Sequence, residues 1–368
     1  MQSANRKSDE KQQQKTDFSV DLRAFLNDGA ILQTGPDSYK LFIGPFTAAT
    51  ESDRMQDLLY KPDFWDFTKD KNVSSNLLKA YNIVDFNKQQ MINLTLSLSE
   101  GKANPVIEWQ LANKLSFQKQ FEWLQKKIKQ NKICKGLPIT HQMGTHFNAE
   151  NKWKIIQNIL QKTSDQYLYG FWGNSFGFIG FTPEILITSE KNKFQTMALA
   201  GTWSKQDLTP IDFKDPKTQN EHQIVVEDIL KQLSDEKLIL KSENGILELE
   251  YLYHLKTNFH YQSNNIEKCL QKLHPTAALG LYPRSNQLFE EFQKFDLQNC
   301  RENFGAPFGY LGPDKSFVIV AIRNIHWRNE NISIFSGCGV TAESDFESEW
   351  SELDAKRNSV KNTFGLNL

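Results

Sequence analysis

The sequence predicts an α+β protein in which large, mostly antiparallel β-sheets pack together and are flanked by helices. Two observations carry this. Short apolar and aromatic runs bounded by Gly, Pro, Asn and Asp read as strands, and helix-period segments are scattered among them without the strict strand-helix-strand alternation of a parallel sheet. The 26 Phe and 8 Trp in 368 residues supply the bulk for thick cores.

The elements follow in chain order. Residues 1–16 are polar and are expected to be a disordered tail, leaving 17–368 as a single domain. Ala30 to Leu32 and Tyr39 to Ile43, on either side of QTGPDS, read as a hairpin. Residues 50–75 carry no clear pattern. Met91 to Leu98 alternates as a strand does. Phe117 to Gln130 reads as a helix with Phe121, Leu124 and Ile128 on one side, and Lys126, Lys127 and Lys129 at its end complement the dipole. Lys135 follows in a strand-like stretch, KICKGLPITH. Trp153 to Lys162 is predicted helical. Tyr167 to Gly173, Gly177 to Phe181, Glu184 to Ser189 and Phe194 to Leu199 are predicted strands, the last ending in a turn, AGT. Glu221 to Leu233, Ile266 to Leu273 and Leu288 to Phe295 are predicted helices. Leu247 to Leu255, Phe259 to Gln262, Phe308 to Leu311, Phe317 to Arg323 and Ile332 to Phe335 are predicted strands. After a Gly-Cys-Gly turn, Ser344 and Glu347 form a capping box that opens the last helix.

Composition narrows the function. A net charge of −1 creates no field that would gather nucleic acid or a membrane surface. The N-terminus has no apolar core of a secretory signal, and no run of about 18 apolar residues exists. Cys134, Cys269, Cys300 and Cys338 are widely spaced, which argues against a zinc site or a disulfide framework and suits a reducing cytoplasm.

The C-terminal helix carries the strongest local chemistry. Glu349, Glu352 and Lys356 fall at i, i+3 and i+7, so they share one face beside the apolar stripe of Phe346, Trp350 and Leu353. Two carboxylates at the edge of a buried face suit a hard cation such as Mg²⁺, held partly by a substrate anion. A solvated face with helical salt bridges would give the same pattern.

Four stretches together say more: GFIGFTPEILI (177–187), MALAGT (197–202), KTQNEHQIVVEDI (217–229) and AIR…FSGCGV…SEWSELDAK (321–356). Their order and content resemble the chorismate-utilising enzymes, which include anthranilate, aminodeoxychorismate, isochorismate and salicylate synthases. The resemblance covers about residues 110–366; the part before 110 is poorly matched. It implies that fold, chorismate as substrate and Mg²⁺ as cofactor. It implies Glu221, Glu349 and Glu352 as metal ligands, Glu184 as the acid that protonates the departing C4 hydroxyl, and Lys135 as the lysine that activates the attacking water. It further implies substrate contacts at Ala200, Gly201, Thr202, His254, Arg323, Gly337, Cys338, Gly339 and Lys356. Burial among Phe181, Pro183 and Ile185 would keep Glu184 protonated.

Within the family, Ala200 leaves empty the position where aminodeoxychorismate synthases carry a nucleophilic lysine. Lys135 matches the lysine of isochorismate and salicylate synthases and tips the choice toward water as nucleophile, and the stretch LHPTAALGLYPR resembles that of isochorismate synthases more than that of anthranilate synthases. The implied reaction is therefore chorismate to isochorismate, for menaquinone or siderophore biosynthesis. Salicylate synthase, or an ammonia-using anthranilate synthase component I served by a separate glutaminase subunit, is the alternative. Thr218, Trp203 and Leu281 depart from the family pattern and motivate a further one, a chorismate-binding protein without turnover.

Overall fold

The computed structural model describes residues 22–69, 73–205 and 212–366; the tail expected at 1–16 lies outside them. The chain builds a nine-stranded and a ten-stranded sheet, and every strand pair in them is antiparallel. The sheets pack face to face. Ala30, Leu32, Phe42, Phe171 and Phe178 of the first meet Leu59, Phe308, Tyr310, Phe317 and Ile319 of the second in one core. Period-2 alternation sends the intervening residues outward. Ile31, Ile179 and Phe181 face a second core under the helices Lys88–Ser99, Lys152–Leu160 and Phe346–Phe364. On the far side, Leu186, Phe194, Ala198 and Phe259 pack under Lys114–Lys129, Pro216–Gln232 and Ile266–Leu273. The order is helix, sheet, sheet, helix. No described helix is long and apolar enough to cross a membrane.

Most predicted elements appear, including the hairpin, now Gly29–Gly35 with Ser38–Ile43. Six readings need correction. The strands expected at Leu247 to Leu255 and Phe259 to Gln262 are instead Gly245–Glu248 and the long strand Leu252–Gln262, because Leu249 N–H donates to Leu252 O and turns the chain between them. Met91 to Leu98 is not a strand but part of the helix Lys88–Ser99. Asn87 and Gln90 close a capping box there, and Met91, Leu94, Thr95 and Ser99 are buried at helical spacing. The last helix is capped by Asp345, not Ser344; the Ser344 hydroxyl instead accepts from Thr341 N. The helix expected from Glu221 begins at Pro216, capped by Asp215. AGT is not a terminal turn, because the strand Lys193–Ser204 runs through it with a bulge between Ala200 and Thr202. The strand Lys315–Val320 stops short of Arg323, which sits at φ 56°.

Candidate active site

The sheets and their covering helices converge on a cleft lined by charged and small residues. Lys135, Glu184, Glu221, Arg323 and Lys356 supply its charged lining, and Ala200, Gly201, Thr202, His254, Gly337 and Gly339 much of the remainder. Cys338, Glu349 and Glu352 do not line it; Cys338 is fully buried.

Each side chain arrives by a definite route. Lys135 lies on the two-residue strand Lys135–Gly136, which pairs with Leu281–Tyr282 and bridges through Gly136 to Val340. This seat leaves Lys135 only 1% exposed, with Nζ 3.1 Å from Glu221 Oε1. Glu184 follows the strand Phe176–Thr182; its N–H donates to Thr182 Oγ1 at 3.2 Å and its carbonyl accepts from Val320 N at 3.0 Å. Burial pushes the Glu184 carboxyl up to about 8, against the pull of Lys135, Lys356 and Arg323. It is therefore protonated at neutral pH.

The bulge at Gly201 has a steric reason. Its φ is +75°, and a Cβ there would lie 2.6 Å from Thr218 Cγ2, so only glycine lets the helix Pro216–Gln232 pack this closely. Thr218 serves the helix start, with N and Oγ1 both donating to Asp215 Oδ2 at 2.9 and 2.6 Å. His222, the neighbour of Glu221, is fully buried and 2.8 Å from Thr257 Oγ1, which ties the helix to the strand Leu252–Gln262. Burial draws its imidazole down to about 4.

His254 lies across from Thr202 on the paired strands. Its Nε2 is 3.1 Å from an Arg323 Nη, and a guanidinium can only donate, so Nε2 accepts and Nδ1 carries the proton toward Thr202 Oγ1 at 3.2 Å. Burial, with Arg323 and Lys356 nearby, holds His254 well below its usual range, so it is neutral. Arg323 donates its other Nη to Ser359 Oγ at 3.1 Å. It is thus fixed between the last helix and His254 from a left-handed backbone position that non-glycine residues rarely adopt.

On the last helix, Lys356 Nζ lies 2.5 Å from Glu352 and donates to Gly337 O at 2.8 Å. Glu349 is 3% exposed, and Lys217 Nζ sits 2.9 Å from its Oε1. Burial, then Glu352, pushes the Glu349 carboxyl up, while Lys217 opposes this. Each glutamate expected to bind metal therefore carries a lysine, and among the described residues no three His, Cys, Asp or Glu side chains are grouped closely enough to hold an ion. As hard oxygen donors the three carboxylates nevertheless suit Mg²⁺ in kind, and each would have to release its lysine to bind it. At Gly339 a Cβ would lie 2.0 Å from Glu221 Oε1, so the backbone there is built against that carboxylate. Lys217 and Ser359 were not found from the sequence. The signal for Lys217 was its i, i+4 spacing from Glu221, but its partner is Glu349 on another helix.

Residues 68–365 match the family model for chorismate binding enzyme. Isochorismate synthase EntC of Escherichia coli is 29% identical over 204 residues, 51% of each chain. Isochorismate synthase MenF of Haemophilus influenzae is 31% identical over 233 residues, 59% of this chain and 53% of its own. The chain thus spans about half the length of the curated relatives it matches. In fold it is similar to Escherichia coli MenF, the menaquinone-specific isochorismate synthase, with a TM-score of 0.72 at 18% identity over 92% of this chain and 88% of that one. It is also similar to anthranilate synthase component I of Streptococcus pneumoniae, with a TM-score of 0.66 at 13% identity over 85% and 82%. With the family model spanning most of the sequence, the chain belongs to the chorismate binding enzyme family.

Proposed function

We propose that this chain is a Mg²⁺-dependent isochorismate synthase, in which water adds at C2 of chorismate as the C4 hydroxyl leaves. The observation that carries this is one cleft holding a buried lysine, a protonated buried carboxyl and a small residue at Ala200. The named activities of EntC and MenF support the same reading.

The residues divide the work. Arg323 and Lys356 are cations lining the cleft and suit the carboxylates of a dianionic substrate. His254 fixes the Arg323 fork through Nε2. As the free amine, Lys135 takes a proton from water as its oxygen bonds to C2, both ring double bonds shift toward C4, and Glu184 gives its proton to the C4 hydroxyl, which departs as water. Proton return from Lys135 to Glu184 resets the site, so the net change is an isomerisation. Glu221, Glu349 and Glu352 would hold the Mg²⁺, which supplies positive charge for a substrate carboxylate when bound.

Product analysis tests this. Purified protein with chorismate and Mg²⁺ should yield isochorismate, with or without ammonium salts. Salicylate, anthranilate formed only with ammonia, or unchanged chorismate would each refute it.

A further inference from the structure

We propose that Tyr169 is a positioning residue for substrate binding: its hydroxyl fixes the peptide group that precedes Arg323 and so aims the Arg323 guanidinium into the cleft. The inference rests on the reading that Arg323 binds a substrate carboxylate.

Tyr169 lies on the strand Tyr167–Trp172 of the nine-stranded sheet and is fully buried. Register places Gly180 beside it on Phe176–Thr182, and Asn324 beside Gly180 on Asn324–Arg328. The glycine lets the ring through. A Cβ at Gly180 would lie 2.2 Å from Tyr169 Cζ and 2.3 Å from its Oη. The phenol therefore crosses over a whole strand, and its hydroxyl donates to Ile322 O at 2.8 Å.

Ile322 and Arg323 both line the cleft, on the short link between Lys315–Val320 of one sheet and Asn324–Arg328 of the other. Backbone groups hold the carbonyls on either side. Ala321 O accepts from Gly305 N at 2.8 Å, and Arg323 O accepts from Phe181 N at 3.1 Å. The Ile322 carbonyl takes a side chain instead. That carbonyl and the Arg323 N–H form one planar peptide group, whose turn about the Arg323 N–Cα bond is the φ of 56°. A non-glycine residue keeps such a φ only where its surroundings impose it. The Tyr169 hydroxyl imposes it at the backbone, while Ser359 and His254 hold the guanidinium at the far end. Without the hydroxyl, the peptide group can rotate toward a commoner φ and carry the guanidinium off its line into the cleft.

The test is steady-state kinetics with chorismate and Mg²⁺ for the parent, Tyr169→Phe, Arg323→Gln and the double variant. Melting curves confirm that each is folded at the assay temperature. Tyr169→Phe removes the hydroxyl and keeps the ring. It should raise KM about fivefold, the effect of one neutral hydrogen bond, with kcat within about twofold of the parent. Arg323→Gln should raise KM further. The double variant should match Arg323→Gln, because the hydroxyl acts through the guanidinium. Tyr261→Phe is the control: the Tyr261 hydroxyl is also buried, on Leu252–Gln262, but has no partner among the described residues, so its loss should leave KM unchanged. An unchanged KM in Tyr169→Phe, or an equal rise in Tyr261→Phe, would overturn the inference and leave the role of Arg323 standing. So would a double variant whose KM rises by the product of the two single effects. An unchanged KM in Arg323→Gln would overturn the reading of Arg323 and the inference with it. No turnover by the parent would overturn the proposed function and the inference together.

Discussion

Replacing Glu184 by Gln should slow catalysis sharply and stabilise the fold, with a pH dependence that identifies the cause. The carboxyl titrates near 4.5 in the unfolded chain and at about 8 in the fold, where burial raises it. From pH 4.5 upward the unfolded chain releases this proton while the fold keeps it, so the parent loses stability as pH rises and stops losing it near pH 8. At pH 7 the difference is about 3 kcal/mol, and above pH 8 about 5 kcal/mol, at 1.36 kcal/mol per pKa unit. Gln fills nearly the same volume and has no proton to lose. Its advantage should be close to zero near pH 4 and reach about 3 kcal/mol at pH 7. For a chain of 368 residues that corresponds to about 4 °C in melting temperature. Melting curves of both proteins from pH 4 to pH 9 measure this directly. The rate should fall by a factor on the order of 10²–10⁴, as for loss of a general acid, and the parent should lose activity as pH rises past about 8. A stability difference that does not change with pH, or that favours the parent at alkaline pH, would refute the buried-acid argument. An unchanged rate would refute its catalytic role.

Three further outcomes follow from the same geometry. EDTA should remove activity and Mg²⁺ restore it, and Glu349→Gln should be inactive while remaining folded by circular dichroism; full turnover in metal-free buffer would contradict the metal assignment. Ala200→Lys should block turnover by filling the buried position beside Gly201, with chorismate consumption as the readout. Asp228 is fully buried, accepts from Ala277 N at 2.8 Å and from Arg284 at 2.8 and 3.1 Å, and so ties its helix to the cleft-wall loop; Asp228→Ala should cost about 3–5 kcal/mol in urea unfolding, and a loss under 1 kcal/mol would contradict that role.

Legibility from sequence varied with how local the determinant is. The helix Ile266–Leu273 was readable to the residue, because its apolar spacing lies within its own eight positions. Met91 to Leu98 misled because Met, Leu, Leu and Leu can satisfy both periods. Only the Asn87–Gln90 box and the exposure of Leu96 decide for a helix. The strand through Ala200 to Thr202 was hidden by its glycine, which reads as a turn signal but here makes a bulge against Thr218. The candidate site was legible as far as motifs carry it. Lys135, Glu184, Glu221, His254, Arg323 and Lys356 do meet in one cleft. Partnerships across long sequence separations were not legible. Lys217 finds Glu349 132 residues away, and Arg323 takes a left-handed backbone to reach His254 and Ser359. Such pairings arise from the meeting of two sheets and their helices, and no local pattern encodes them.

In the proposed reaction water, activated by Lys135, is the nucleophile. The most direct measurement is turnover of chorismate with Mg²⁺ in ¹⁸O-labelled water, followed by mass analysis of the product. The parent protein should give isochorismate with one ¹⁸O at the C2 hydroxyl, and Lys135→Ala should give none. Unlabelled isochorismate, or labelled product formed at the parent rate by Lys135→Ala, would contradict it.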